Sequence, residues 1–183
     1  MLRFLDLVLS FLGLLFGLPI FILIYLLIYF DSKSPLYWQE RLGRNKKPFL
    51  LVKFRTMKIN TDIAATHLID AKSITKYGKF LRSTKLDELP QLWNILKGEM
   101  SLVGPRPGLL NQKVLTDNRD SLGVYLVRPG ITGLAQVQNI DMSTPKDLAF
   151  VDAKMISEMS VKNYFRYIVL TFIGYGQGDK IRK

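Results

Sequence analysis

With 183 residues, no cysteine and one histidine, the chain has length for one ordinary domain and no means of making a disulfide, a cysteine-ligated metal site or a thiol nucleophile. The lone His67 sits in a polar stretch, so a histidine triad or multi-histidine metal centre lacks its parts. The formal net charge is +11, and residues 1–31 hold only Arg3, Asp6 and Asp31, so the rest of the chain carries +12. That balance suits anionic lipid head groups, phosphate-bearing substrates or nucleic acid, and equally a solubilising surface with a positive-inside bias.

Leu7 to Phe30 contains no charged residue over 24 positions. At about 1.5 Å per residue, such a helix matches a hydrocarbon core of roughly 30 Å. It is longer than the apolar core of a signal peptide and no small-residue cleavage pattern follows, so residues 1–31 read as a retained membrane element ahead of a second region, 32–183. Pro19 removes one backbone hydrogen bond near the centre and predicts a kink, with Gly13 and Gly17 adding local freedom. Two arrangements follow: a single span, or a bent helix that enters one leaflet and returns. Cations at both ends (Arg3 before, Lys33, Arg41, Arg44, Lys46 and Lys47 after) favour both ends on one, cytoplasmic, face.

Asp31 to Pro35 is a turn cluster, Leu36 to Glu40 is short and amphipathic, and 41–48 reads as a basic hairpin loop. Phe49 to Phe54 predicts a strand, and 57–74 a polar loop with helical turns. Thr75 to Arg82 predicts a basic aromatic helix suited to a bilayer interface. Leu86 to Leu96 has apolar residues at helical spacing, and Pro90 places Asp87 and Glu88 near the helix start. Gly104 to Gly108 and Arg128 to Gly133 are turns, and Leu134 to Val137 is a strand candidate. Ser143 to Asp147 opens a helix with Pro145 early in it, and Val161 to Tyr175 predicts a core or interfacial helix. The fold class is α+β: a membrane helix, then a small mixed domain with interfacial helices and a short hairpin.

The chemistry concentrates in two blocks. Asp87 and Glu88 point about 100° apart on a helix, so they suit two jobs rather than one clamp: one carboxylate attacks phosphorus or holds Mg²⁺, the other shuttles a proton or shapes the field. A favourable helix-dipole interaction would explain the same pair without chemistry. Arg106 lies between Pro105 and Pro107, so its backbone is fixed before a ligand arrives, and its planar fork matches phosphate oxygens. Lys53, Arg55 and Arg82 add cations, each also readable as a solvated surface charge. The glycines match no Walker or dinucleotide fingerprint, which counts against a P-loop kinase or a Rossmann enzyme.

Seven blocks in order resemble the bacterial sugar transferase family, the small monotopic phosphoglycosyl transferases: 39–43 (Gln-Glu-Arg-Leu-Gly), 53–57 (Lys-Phe-Arg-Thr-Met), 78–82 (Gly-Lys-Phe-Leu-Arg), 86–91 (Leu-Asp-Glu-Leu-Pro-Gln), 96–101 (Leu-Lys-Gly-Glu-Met-Ser), 103–107 (Val-Gly-Pro-Arg-Pro) and 128–136 (Arg-Pro-Gly-Ile-Thr-Gly-Leu-Ala-Gln). The resemblance implies transfer of a sugar 1-phosphate from a UDP-sugar to polyprenyl phosphate, releasing UMP, at the cytoplasmic face of the bacterial inner membrane. It implies Asp87 as nucleophile and Mg²⁺ neighbour, with Glu88 aiding attack by the lipid phosphate. It further implies substrate contacts from Lys53, Arg55, Arg82, Pro105, Arg106, Pro107, Arg128 and Gln136, a re-entrant helix ahead of a catalytic domain over 32–183, and no nucleic-acid partner; a homodimer is possible. The chain departs from the family at Leu18, where serine often precedes the helix-breaking proline, and over Gln138 to Pro145, where an arginine and a tryptophan are missing, which bears on sugar choice. Asp152 stands where a downstream aspartate is expected, without its usual tyrosine. Competing readings are a non-catalytic, membrane-anchored basic module for anionic lipid or nucleic acid, and an inactive scaffold.

Overall fold

The structure is a computed structural model and describes residues 1–59 and 73–175. His67 and most of the 57–74 loop therefore lie outside the described residues.

The first helix, α1, is Leu2–Ser32, ended by Lys33 in the left-handed conformation (φ 57°), whose N–H donates to the Tyr29 carbonyl. It is the one helix among the described residues long and apolar enough to cross a bilayer. Pro19 lies inside α1 without ending it. A proline forfeits one hydrogen bond of the helical ladder, and packing can hold the two halves in register across it.

Packing is available along the whole helix. Asp6, Ser10, Gly13, Gly17, Phe21, Ile24 and Ile28 recur every three or four residues and so form one stripe. Its start joins Leu2, Leu5 and Leu9 to a cluster with Val103, Met155, Tyr164 and Tyr167. Its middle places Leu14 on Phe49, Leu51, Leu92 and Ile95. Its end buries Ile24 and Ile28 against Phe54 and Leu81. The other faces of α1 leave Phe4, Phe11, Phe16, Leu23 and Phe30 exposed, which is the pattern of a helix with lipid on one side and protein on the other.

Strands β1 (Leu36–Leu42) and β2 (Pro48–Phe54) form an antiparallel hairpin with Leu36 opposite Phe54 and Leu42 opposite Pro48. The basic segment at 41–48 is thus shorter as a loop than the sequence suggests, because Arg41 and Leu42 belong to β1. Helix α2 (Lys76–Ser83) is capped by the Thr75 side chain, which accepts from the Gly78 N–H at 3.0 Å.

The predicted helix 86–96 is two pieces: a 3-10 turn, Leu86–Glu88, and α3 (Gln91–Lys97), with Pro90 as the N-cap. Asn94 fastens α3 to the hairpin. Its side chain accepts from the Val52 N–H at 3.1 Å and donates to the Leu50 carbonyl at 2.8 Å, pairing strand backbone that has no strand neighbour there.

Strand β3 (Ser101–Val103) pairs in parallel with β4 (Gly130–Thr132). Gly104 and Gly130 cross backbone to backbone, and a Cβ on either would collide with the backbone of the other segment. Four helices follow or intervene: α4 (Lys113–Ser121), α5 (Leu134–Val137), α6 (Pro145–Ser157) and α7 (Val161–Phe172). The predicted strand at 134–137 is α5. Four residues are too few for apolar pattern to separate the two states, and the strand lies just before, at 130–132.

Candidate active site

A 3-10 turn has three residues per repeat, so Leu86 and Leu89 share one face and Asp87 and Glu88 take the others. Leu86 and Leu89 pack into the cluster of Ile24, Ile28 and Phe54, which roots the carboxylate turn on α1 and β2. Lys85 enters the turn in the left-handed conformation at φ 58°. Asp87 is 7% exposed. Burial and the neighbouring Glu88 carboxylate push its acid up to about 7, against the opposite pull of Lys53, Arg82 and Arg106. A carboxylate held among three cations and still this reluctant to ionise is poised to react when further positive charge arrives.

Arg106 donates from Nη1 to Glu88 Oε1 at 2.9 Å. Its loop is clamped through consecutive backbone carbonyls. Gly104 O accepts from Gln136 Nε2 (3.2 Å), Pro105 O from Gly130 N (2.9 Å), Arg106 O from Arg119 Nη1 (2.9 Å), Pro107 O from Arg41 Nη1 (3.0 Å) and Gly108 O from Leu42 N (3.0 Å). The Arg119 guanidinium is 1% exposed and grips Asp152 Oδ2 through Nε (3.0 Å) and Nη2 (2.6 Å). Burial pushes the Asp152 acid up, and Arg119 opposes it. The two prolines restrict the loop locally, while Arg119, Arg41 and Gln136 fix it from outside.

Arg82 donates from Nε to Thr56 Oγ1 at 3.0 Å, and its buried Nη1 has no partner among the described residues. A buried guanidinium N–H without an acceptor is a place for an anionic oxygen. Lys53, on β2, lies with its Nζ 5.6 Å from the Tyr37 ring centroid and acts on Asp87. Lys85, absent from the sequence-derived set, is half-buried with Glu88 and Arg106 as charged neighbours, and its Nζ donates to the Tyr175 carbonyl at 2.9 Å. Desolvation holds its ammonium below the usual lysine range.

The structure thus brings together Asp87, Glu88, Lys53, Arg82 and Arg106, with Pro105 and Pro107 framing the last. Arg55 donates to the Ser34 and Leu36 carbonyls at 2.9 and 3.4 Å, closing the turn between α1 and β1, and its guanidinium lies 5.3 Å from the centroid of the Tyr37 ring that Lys53 also approaches. Arg128 donates to the Gly98 carbonyl at 2.7 Å and has Arg3, Arg44 and Asp6 as charged neighbours, a different group from that around Asp87. Gln136 supports the Arg106 loop through its amide, and its buried Oε1 has no partner among the described residues. Among the described residues no group of three or more Asp, Glu or His side chains could hold a metal. The donor set fits a cation such as Mg²⁺ that takes one carboxylate and fills its other positions with phosphate oxygens and water.

Residues 1–177 match the model of the family described as bacterial sugar transferase. The chain belongs to the bacterial sugar transferase family. It is 35% identical over 163 residues to a UDP-galactose-lipid carrier transferase of Erwinia amylovora, covering 80% of this chain and 34% of that protein. It is 41% identical over 137 residues to a UDP-glucose:undecaprenyl-phosphate glucose-1-phosphate transferase of Klebsiella pneumoniae, covering 72% of this chain and 30% of that one. It is 34% identical over 183 residues to the galactosyl transferase CpsE of Streptococcus agalactiae, covering 92% and 40%. The chain therefore spans between a third and two fifths of the length of several bacterial sugar transferases it matches.

Proposed function

We propose that the chain transfers a sugar 1-phosphate from a UDP-sugar to polyprenyl phosphate in two steps through Asp87. The observation that carries this is the buried carboxylate of Asp87 beside Glu88, with Lys53, Arg82 and Arg106 acting on it. A non-catalytic basic module gives no reason to bury the Asp87 carboxylate beside Glu88 among three cations.

In the first step an Asp87 oxygen attacks the sugar-bearing phosphorus. The bond from that phosphorus to the bridging oxygen breaks, and UMP leaves with the bridging oxygen. In the second step an oxygen of polyprenyl phosphate attacks the same phosphorus, the bond to Asp87 breaks, and the carboxylate returns. Dividing the reaction this way keeps the two anionic substrates from meeting on one phosphorus. Arg106, held by its clamped backbone and by Glu88, is preorganised for the diphosphate. The Nη1 of Arg82, without a partner among the described residues, offers a further donor to it. Once Arg106 turns to phosphate, Glu88 is released to steer the lipid phosphate's approach. Mg²⁺ held by Asp87 and the donor phosphates would supply charge neutralisation on the diphosphate.

The same reading makes the protein monotopic, with α1 re-entrant and the domain on the cytoplasmic face. Support comes from the two ends of α1. Arg3 donates to the Met100 and Ile95 carbonyls at 3.1 and 2.6 Å, and Asp6 Oδ1 accepts from Ser101 Oγ, Leu102 N and Tyr164 Oη, each at 2.9 Å. Ile24 and Ile28, at the other end, pack on the same domain. A helix crossing the bilayer would carry one of those ends to the opposite surface. Exposed Tyr77 and Phe80 on α2 and Phe165, Val169 and Phe172 on α7 suit an interfacial placement of both helices.

The test is UMP release from a panel of UDP-sugars with polyprenyl phosphate and Mg²⁺. The reading predicts release with at least one donor, dependent on the lipid. Failure with every UDP-sugar, with the lipid bound, would remove the proposed reaction.

A further inference from the structure

Lys85 links the end of α2 to the carboxylate turn, directly before Leu86. Its Nζ donates to the Tyr175 carbonyl, just past α7, at 2.9 Å, and that neutral oxygen is its hydrogen-bond partner among the described residues. Glu88, the carboxylate that acts on it, is already engaged by Arg106 at 2.9 Å. Half-burial strips water from the ammonium, and Arg106 repels it. A cation so placed, with a carbonyl where a carboxylate would offset the lost hydration, is stabilised by an arriving anion. Two helices converge on it: α2 through Thr84, and α7 through Tyr175. Phe80, Phe172, Ile173 and Tyr175 on those two ends are exposed, so the bond lies at the surface and not in the core.

We propose that Lys85 is a further substrate-binding residue, whose ammonium leaves the Tyr175 carbonyl for a phosphoryl oxygen. The proposal rests on the reading of the chain as a transferase of sugar 1-phosphate between two phosphate-bearing substrates. Donor diphosphate and acceptor phosphate share the chemistry, an anionic oxygen brought toward Asp87. The exchange is favourable for Lys85 in particular. A neutral hydrogen bond gives way to a charge-assisted one, and the released carbonyl, on an exposed residue, turns to water. Arg106, by contrast, must give up a carboxylate at 2.9 Å before it binds phosphate. The competing role for Lys85 is a strap that holds the end of α7 against the turn.

Lys85→Gln separates the two roles, because its amide can still donate to the Tyr175 carbonyl while the charge is gone. Lys85→Arg keeps the charge. Binding to the detergent-solubilised full chain is measured without turnover, for polyprenyl phosphate against polyprenol and for UDP against uridine, so each arm isolates the phosphate. Lys85→Gln is expected to weaken binding of polyprenyl phosphate or of UDP by at least about tenfold, and Lys85→Arg to stay within about threefold of the parent. Polyprenol and uridine should bind both variants as they bind the parent. Loss with polyprenyl phosphate assigns the contact to the acceptor, and loss with UDP assigns it to the donor. Equal binding by the parent and Lys85→Gln in both arms overturns the proposal. So does a loss that Lys85→Arg shares in full, or one that extends equally to polyprenol or uridine. A chain that shows this charge dependence but releases no UMP from any UDP-sugar supports the phosphate contact and contradicts the reaction, so the two failures are distinguishable.

Discussion

Asp87 carries a cost that its proposed role as nucleophile explains. Its folded-state acid lies near 7, above the ordinary carboxylate value of 3.8. The folded protein therefore holds this proton more tightly than the unfolded chain does. The resulting stability is fully present below about pH 4 and is lost as pH rises through about 7. Asp87→Asn removes the buried charge with little change in volume, so the ligand-free variant should be more stable than the parent at pH 8, by roughly 1–3 kcal/mol, with the gap narrowing as pH falls and closing only near pH 4. Chemical denaturation at the two pH values measures this, and equal stabilities at pH 8 would contradict it. The catalytic sign is opposite: attack needs the anion, so the first step in free enzyme should quicken as pH passes about 7. Arg106→Lys keeps the charge and loses the fork, and should cost about 100-fold in kcat/KM for the donor. Asp152→Asn leaves Arg119 buried without its anion and should destabilise by about 3 kcal/mol, while the folded fraction loses donor affinity as the Arg106 carbonyl slips its clamp. The meeting of Asp87, Glu88 and Arg106 was legible because the residue types, their spacing and the flanking prolines lie in two short blocks. Arg55 and Arg128 share the same blocks yet turn to backbone carbonyls, since sequence fixes neighbourhood and not side-chain direction. Arg119 escaped notice because its partner lies 33 residues away.

At the scale of elements, α1 behaves as part of the domain's core along one stripe. Asp6 is its polar anchor, a buried carboxylate accepting three hydrogen bonds from β3 and α7. The proximity of Asp6 also pushes the Tyr164 phenol up, after burial, because a second anion there would be repelled. Asp6→Ala leaves the Leu102 N–H and the Tyr164 hydroxyl without an acceptor and should cost roughly 2–4 kcal/mol, which thermal unfolding in detergent can measure. In sequence Asp6 is one charge ahead of an apolar run and gives no hint of this. Helix α4 was equally silent, because a polar stretch of nine residues shows little apolar periodicity. The parallel pairing of β3 with β4 joins strands nearly 30 residues apart, each three residues long, and depends on the close crossing of Gly104 and Gly130. The hairpin of β1 and β2 was half visible, as its second strand is strongly apolar and its first alternates weakly.

For the whole molecule, the placement of both ends of α1 on one domain makes topology and catalysis a single question. A chain with no native cysteine allows a direct test: a cysteine added at the N-terminus is exposed to a membrane-impermeant thiol reagent in intact cells. The parent should not label, and Pro19→Leu, which restores the missing helical hydrogen bond, should label in part as some molecules exchange the Arg3 and Asp6 contacts for a span. Full labelling of the parent would end the re-entrant account. The central claim, a two-step reaction through one buried carboxylate, has its most direct measurement in intact-protein mass spectrometry with UDP-sugar and Mg²⁺ and no lipid acceptor. The account predicts a mass increase of one sugar phosphate, mapping to Asp87, absent from Asp87→Asn and discharged by polyprenyl phosphate. Lipid-dependent turnover by Asp87→Asn, or an adduct on any other residue, would contradict it.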